Sequence, residues 1–265
     1  MQMQRSFEPD WRIIPLTIAD QQVHIARSEQ LLNEAAQGTL PVLYWSQAEP
    51  AGLVLGFSQK ETITNPTIRA EKTIPIYHRR AGGTAVLVGP ELLALDVVLP
   101  AGHPLVHTDI VESYRWFGET WMRALHQLGI ITRLVAPGEA HAQRLLAKQD
   151  AIRERESILG RACYASNSSY EVVVGQRKVV GLDMIRRRNG SLLQAGVLLN
   201  WQSERLAQLL GHTPAEQALL RHELPKRAVG LDELAQRAVA VQEIIQAFEL
   251  SLSKQAILQR PGSKL

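Results

Sequence analysis

Apolar residues recur along this chain with two different periods, and each change of period marks a new element. Residues 11–16 alternate and predict a short strand. From about residue 20 to residue 36, Ile25, Leu32, Ala35 and Ala36 fall near one face of a helix, with Asp20 placed to cap it and Gly38 to end it. Residues 42–45 and 53–57 read as strands separated by the polar turn SQAEPAG. The phrase IPIYHRRAGGTAVLVGPELLALDVVLP, residues 74–100, reads as strand, tight glycine turn, strand, turn, strand. Residues 107–128 form the clearest amphipathic helix. Its stripe of Ile110, Tyr114, Phe117, Trp121 and Leu125 at spacings of three and four is a core-packing pattern.

The next pattern is a strand over residues 130–135, followed by a segment of different character. Residues 138–161 are rich in Ala, Gln, Arg and Glu; their helical propensity is high, but Leu145, Leu146 and Ile152 are nearly the whole apolar face. A surface excursion, acting as a cover just before Cys163, is the expectation. Residues 170–174, 178–185 and 192–200 then alternate as a three-stranded meander, with Gly175-Gln176 as a two-residue turn. That turn pairs Lys178 with Val173 and puts it on the face of Glu171 and Ser169, whereas a slip of one residue turns the lysine over. From residue 203 the signal is helical: SERLAQLLG, TPAEQALLRHEL and a long stretch over residues 231–259, punctuated by Gly211 and Pro225, before a frayed RPGSKL end. Mixed strands with segregated helices, and no regular βαβ alternation, predict an α+β fold. The expected organisation is one domain over residues 1–265 with a helical C-terminal portion, residues 203–260.

Composition narrows the function classes. A chain of 265 residues with 45% apolar content can bury a core without staples. The single cysteine excludes an internal disulfide framework and a Cys-rich zinc site, and fits a reducing compartment. The opening MQMQRSFEPDW has no apolar leader core, and no apolar run approaches the roughly 20 residues that span a bilayer, so a cytoplasmic protein away from membranes is expected. A formal charge of +3 is too small and too scattered to indicate nucleic acid. Arginine is nevertheless concentrated at Arg79-Arg80 and at Arg186-Arg187-Arg188, at strand ends where an acidic ligand or partner could be met. The second cluster, within RRRNG, reads equally well as a hairpin loop.

Three patterns can carry chemistry. Cys163 becomes a nucleophile only as a thiolate, which needs nearby positive charge; Lys178 and Arg161 are the candidates. On its own a lone cysteine reads as a small buried hydrophobe, but ACYASNSS is a polar loop entry in which burial has no obvious benefit. Lys178 is either the solvent-facing lysine of an alternating strand or a positioned charge that holds a carbonyl oxygen or an anion. In Arg79-Arg80-Ala81-Gly82-Gly83-Thr84 the glycines allow backbone amides to approach a ligand, and the arginines can pair with phosphate or carboxylate. A tight hairpin explains the same residues, and the spacing is neither a dinucleotide fingerprint nor a P-loop. The histidines lack metal-ligand spacing, so no metal site is assigned. Ser251 to Lys254 spells S-x-x-K in an expected surface helix and is taken as accidental.

Together these phrases resemble the biotin/lipoate protein ligase and transferase family, and within it the octanoyltransferases that use a cysteine ahead of a lysine. The resemblance rests on RRAGGTAV (residues 79–86), CYASNSSYEVVV (163–174), Lys178-Val179-Val180-Gly181 and Leu192-Leu193-Gln194. The opening WRIIPL…ARSEQLL, the LVLGFSQ strand and the tail AVGLDELAQRAVAVQEIIQAFE extend it over nearly the whole chain. It implies a mixed sheet flanked by helices, similar to the catalytic domain of class II aminoacyl-tRNA and biotin synthetases, and a two-step acyl transfer with no cofactor. Octanoyl-acyl-carrier protein is the implied donor; a lipoyl-domain lysine, on the glycine cleavage H protein or a 2-oxoacid dehydrogenase E2, is the implied acceptor. By the same resemblance Cys163 and Lys178 are catalytic, and Arg79, Arg80, Gly82, Gly83, Thr84 and Gly181 bind substrate. The chain departs from the family's pattern at Val88 and Ala195, where histidine is usual, and at Leu182-Asp183-Met184, where small polar residues are usual. An ATP-dependent lipoate ligase and a non-catalytic member that binds acyl carriers or lipoyl domains are the alternatives.

Overall fold

The computed structural model describes residues 11–258, with side chains as far as Ser253. Its centre is a seven-stranded mixed sheet in the order β1 (Arg12–Ala19), β2 (Val42–Ala48), β6 (Leu92–Pro100), β10 (Gly190–Leu198), β9 (Arg177–Arg186), β8 (Val172–Val174), β7 (Arg133–Leu134). Within it only β1 and β2 run parallel, because α1 (Gln21–Glu34) is the crossover between them; every other pairing is antiparallel. A second sheet of three strands has β3 (Gly52–Leu55) between β4 (Ile76–His78) and β5 (Val86–Val88). The α+β expectation holds, with two βαβ units near its start: β1–α1–β2, and β3–β4, which run parallel with the helix Pro66–Glu71 between them.

The two faces of the large sheet are covered differently. One face packs on α3 (Ile110–Gln127) and α9 (Val241–Leu258), where Trp45, Phe117, Trp121 and Phe248 interlock; the Trp45 and Phe248 rings meet edge to face at 5.5 Å. Of the expected stripe on the 107–128 helix, Phe117, Trp121 and Leu125 are core, whereas Ile110, the first residue of α3, is 53% exposed and Tyr114 is half-buried against the cleft. The other face is covered at one end by α1 through Leu31 and Leu32, while the rest lies open as a cleft. Asp20 caps α1 by accepting from the Gln22 amide, but Ala36 is exposed beyond the helix, and His24 and Ser28 join the leucines on its buried side.

Elsewhere tertiary contacts reshape the expected elements. The 130–135 strand shortens to β7, with exposed Ile131 outside it. Most of residues 138–161 form two helices, α4 (Pro137–Leu146) and α5 (Asp150–Leu159). Leu145 and Leu146 are exposed, and Ala140 and Leu159 are the buried anchors. The C-terminal helices begin with α6 (Ser203–Leu210) and α7 (Pro214–Glu223). α5 is tied to α7 by Arg155 with Glu223 at 2.5 Å, and to the following turn by Glu156 with Arg227 at 2.7 Å. The long helix expected over 231–259 is two, α8 (Leu231–Ala235) and α9, because Gln236 turns left-handed at φ 53° and Asp232 accepts from the Val239 amide. Residue 259 and the expected frayed end lie outside the described residues. Ser251 is buried against α3, where it accepts from Gln127, so its helix packs in the core and is no surface element. α2 (Pro66–Glu71) completes the small-sheet lobe.

Candidate active site

Cys163 opens a 3-10 turn, Cys163–Ala165, that is stitched to the glycine loop by backbone hydrogen bonds. The Ala85 amide donates to Arg161 O and the Cys163 amide to Ala85 O, both at 2.9 Å. The loop itself, residues 79–85, is no hairpin: β4 and β5 lie on opposite sides of β3, so the chain crosses the end of β3 and delivers the loop to the cysteine. Gly83 sits at φ +78°, a conformation that side chains rarely adopt. A Cβ there would lie 2.7 Å from Arg79 Nη2 and 3.5 Å from Cys163 Sγ. Gly82 has open space around it.

Arg79 is the cation nearest the sulfur among the described contacts. Its guanidinium donates to Gly82 O and Thr84 O, reaches toward Sγ at 4.0 Å, and lies 3.5 Å from Asp183. Arg80 turns away to pair with Glu29 at 2.5 Å. Arg161 also points elsewhere, holding Glu216 and Leu210 O, so it is not a source of charge for Cys163. Arg186 and Arg187 hold His107, Thr108 and Asn33 beside the β9–β10 hairpin, which is the bland reading of the RRR cluster.

Lys178 stands in the expected register opposite Val173 and shares a face with Glu171. It is 1% exposed, pairs with Glu171 at 2.7 Å and donates to the backbone carbonyl of Cys163 at 3.1 Å. Glu171 also accepts from the Ser168 and Leu182 amides, so the pair ties the cysteine turn to β9. Beneath both lies Tyr164, a residue that sequence patterning did not single out. Lys178 Nζ is 5.4 Å from its ring centroid, and its hydroxyl donates to Gly196 O at 2.7 Å. Gly181 and Gly196 face each other across β9 and β10, and a Cβ on either would press on Tyr164, at 3.3 Å and 2.5 Å respectively. Gly181 therefore seats the tyrosine that backs the cysteine. Burial and the neighbouring Cys163 hold the Tyr164 hydroxyl well above the ordinary tyrosine range.

Strand register sets three rows on this face of the sheet, and the cleft reaches all of them except at Tyr44, Val98 and Val42, which pack with α1. Gly181, Gly196, Ala94 and Ser46 form a row of small residues; Asp183, Gln194, Asp96 and Tyr44 form a polar row; Ile185, Leu192, Val98 and Val42 form an apolar row. The cleft, about 410 Å³, joins Cys163 and Lys178 to the polar row and to His24, Ser28 and Arg144. Of the departures from the family pattern, Asp183 and Val88 border the cleft. Leu182 and Ala195 border it too while also packing against the α3–α9 core, and Met184 packs against that core alone. Asp96 is the other residue the motifs missed, although one acid inside the apolar run LLALDVVLP was its signal. Burial pushes its carboxyl above the ordinary range, opposed by hydrogen bonds from Ser28 and Gln194. Asp183 is likewise raised by burial and opposed by Arg79. Among the described residues no group of side chains could hold a metal ion, and no helix is long and apolar enough to cross a membrane.

The lipoyl protein ligase A/B catalytic domain model matches residues 20–253. Among curated proteins, the octanoyltransferase LipM of Exiguobacterium sibiricum is 31% identical over 189 residues, which are 71% of this chain and 64% of that protein. The LipM of Staphylococcus aureus is 30% identical over 192 residues, 71% of this chain and 65% of the relative. The matched region thus spans just under two thirds of these relatives. Among solved structures, a bi-partite lipoate protein ligase from Thermoplasma acidophilum superposes with TM-score 0.70 at 17% identity, covering 92% of this chain and 82% of that one. A lipoate-protein ligase A bound with ATP does so with TM-score 0.68 at 17% identity, covering 93% and 85%.

Proposed function

This chain belongs to the lipoyl protein ligase A/B catalytic domain family, and from that premise we propose that it is a cysteine acyltransferase of the octanoyltransferase kind. It moves an acyl chain of octanoyl length from acyl-carrier protein, through a thioester on Cys163, to a lysine of a lipoyl domain. The observation that carries the reading is the half-buried Cys163 Sγ, open to the cleft and reached by the Arg79 guanidinium at 4.0 Å. The attacking form of a cysteine is its thiolate, and Arg79 is the cation placed to face it.

In the first step Sγ bonds to the thioester carbon, and the carrier's thiolate leaves with the electron pair of the broken C–S bond. In the second, the acceptor amine bonds to the same carbon, loses a proton and expels Cys163. Dividing the transfer lets two protein partners use one site in turn. Lys178 takes a catalytic role: two of its three N–H groups serve Glu171 and the Cys163 carbonyl, which leaves one for the oxyanion of either step. Gly83 gives the acyl carbon a close approach between Arg79 and the sulfur.

Transfer is favoured over ATP-dependent ligation by the surroundings of the arginines. Arg79 lies against Asp183 and Arg80 against Glu29, and a carboxyl inside the cleft opposes a triphosphate. The lone thiol fits the cytosol as the working compartment. The test is modification of a lipoyl domain. Octanoyl-acyl-carrier protein should support it with the natural chain and not with Cys163→Ala, and a Cys163→Ala variant that modifies the domain from octanoate and ATP would overturn the mechanism.

A further inference from the structure

We infer that Arg144 binds the phosphodiester of the arm on which the acyl group arrives, the phosphopantetheine of the acyl-carrier protein. The inference rests on acyl transfer through Cys163 and assigns the donor a second point of attachment.

Charge balance inside the cleft singles out this residue. Its arginine and lysine lining consists of Arg79, Arg80, Arg144 and Lys178. Arg79 faces Asp183 at 3.5 Å, Arg80 faces Glu29 at 2.5 Å and Lys178 faces Glu171 at 2.7 Å. The other acid of the cleft, Asp96, is held by Ser28 and Gln194, and burial disfavours its charge. Arg144 has no acidic partner among the described residues. Its Nε donates to Ala140 O at 3.3 Å, one turn back on α4, and its two Nη groups have no acceptor among the described residues. The fork of a guanidinium is left for an anion that a ligand brings.

The substrates decide which anion that is. An octanoyl chain and its thioester are neutral, and the acceptor is an amine. The negative group covalently tied to the acyl chain is the phosphodiester that joins the arm to its carrier. Two amide-linked units separate it from the thioester sulfur, so it stays at the rim of the cleft when the carbonyl reaches Sγ inside. Arg144 occupies that rim: it is exposed, sits on the last turn of α4 and lines the same cleft as the half-buried Cys163. Ser166, Ser168 and Ser169 follow the cysteine turn and line the cleft as well. Their hydroxyls make no hydrogen bond among the described residues and offer further donors along the arm.

The test measures acylation of Cys163, by intact mass, from three donors. Octanoyl-acyl-carrier protein is the whole donor, octanoyl-phosphopantetheine keeps the phosphate without the protein, and octanoyl-pantetheine lacks both. Below saturation the natural chain should use octanoyl-phosphopantetheine about tenfold faster than octanoyl-pantetheine. Arg144→Ala should bring that ratio close to one and slow acylation from octanoyl-acyl-carrier protein about tenfold, with folding checked by the thermal melt; Arg144→Lys should keep part of the preference. Equal use of the two small donors by the natural chain, or an equal loss with both in Arg144→Ala, overturns the inference while acyl transfer stands. A loss confined to the second step, release from a preformed octanoyl-enzyme to a lipoyl domain, assigns Arg144 to the acceptor and overturns it too. If no donor places a thioester on Cys163, the reading on which the inference rests fails, and the inference with it.

Discussion

Replacing Lys178 by alanine leaves Glu171 buried without its cation, and such one-sided removal costs about 3–5 kcal/mol. Denaturant unfolding of Lys178→Ala should show a loss of that size. A paired Lys178→Met with Glu171→Gln change should recover much of the stability while acylation of Cys163 remains slower by orders of magnitude. Recovery of both together would make the lysine purely structural. Asp96 offers a pH signature. Its folded pKa is raised above the unfolded value, so its contribution is fully present below the ordinary carboxylate pKa and is lost as pH rises toward the raised value. Asp96→Asn, a neutral mimic, should therefore gain on the natural protein by about 1.4 kcal/mol per pH unit across that window, read from urea unfolding at several pH values. A difference independent of pH would mean that Asp96 is ionised in place. At this scale the sequence made Cys163 and Lys178 visible because each breaks its local pattern. Tyr164 and Ser28 are ordinary residues in ordinary places, and only packing gives them a role.

Among the elements, the loop over residues 79–85 shows what local pattern leaves open. Two glycines between two strands spell a hairpin, and the choice of β3 as the shared partner is a long-range pairing that no local residue dictates. The meander was legible because alternation and the Gly175-Gln176 turn fix register locally, down to Lys178 opposite Val173. The break between α8 and α9 was hidden, since Gln236 carries no glycine signal for its left-handed turn. Gly83→Ala should slow acylation at least tenfold, because its new methyl strains φ +78° and presses on Arg79, with a smaller change in melting temperature. An unchanged rate would separate the loop from the chemistry.

Over the whole molecule, the large sheet keeps stability and chemistry on opposite faces. Trp45, Trp121 and Phe248 interlock on one side; the cleft and its polar row occupy the other. Phe248→Ala should cost about 3–5 kcal/mol of stability in denaturant unfolding, yet leave the acylation rate per folded molecule within a few-fold. A collapse in rate beyond the unfolded fraction would show that the faces are coupled. The division follows from strand alternation, which the sequence displays, whereas the closing of Asp183, Gln194, Asp96 and Tyr44 into one row depends on bringing the β9–β10 hairpin beside β6 and β2, which are distant from it in the chain. The most direct measurement is intact mass of the protein after mixing with octanoyl-acyl-carrier protein. The natural chain should gain one acyl group, mapped by peptide analysis to Cys163, and release it to a lipoyl domain; a chain that gains none, or gains it equally as Cys163→Ala, contradicts the mechanism.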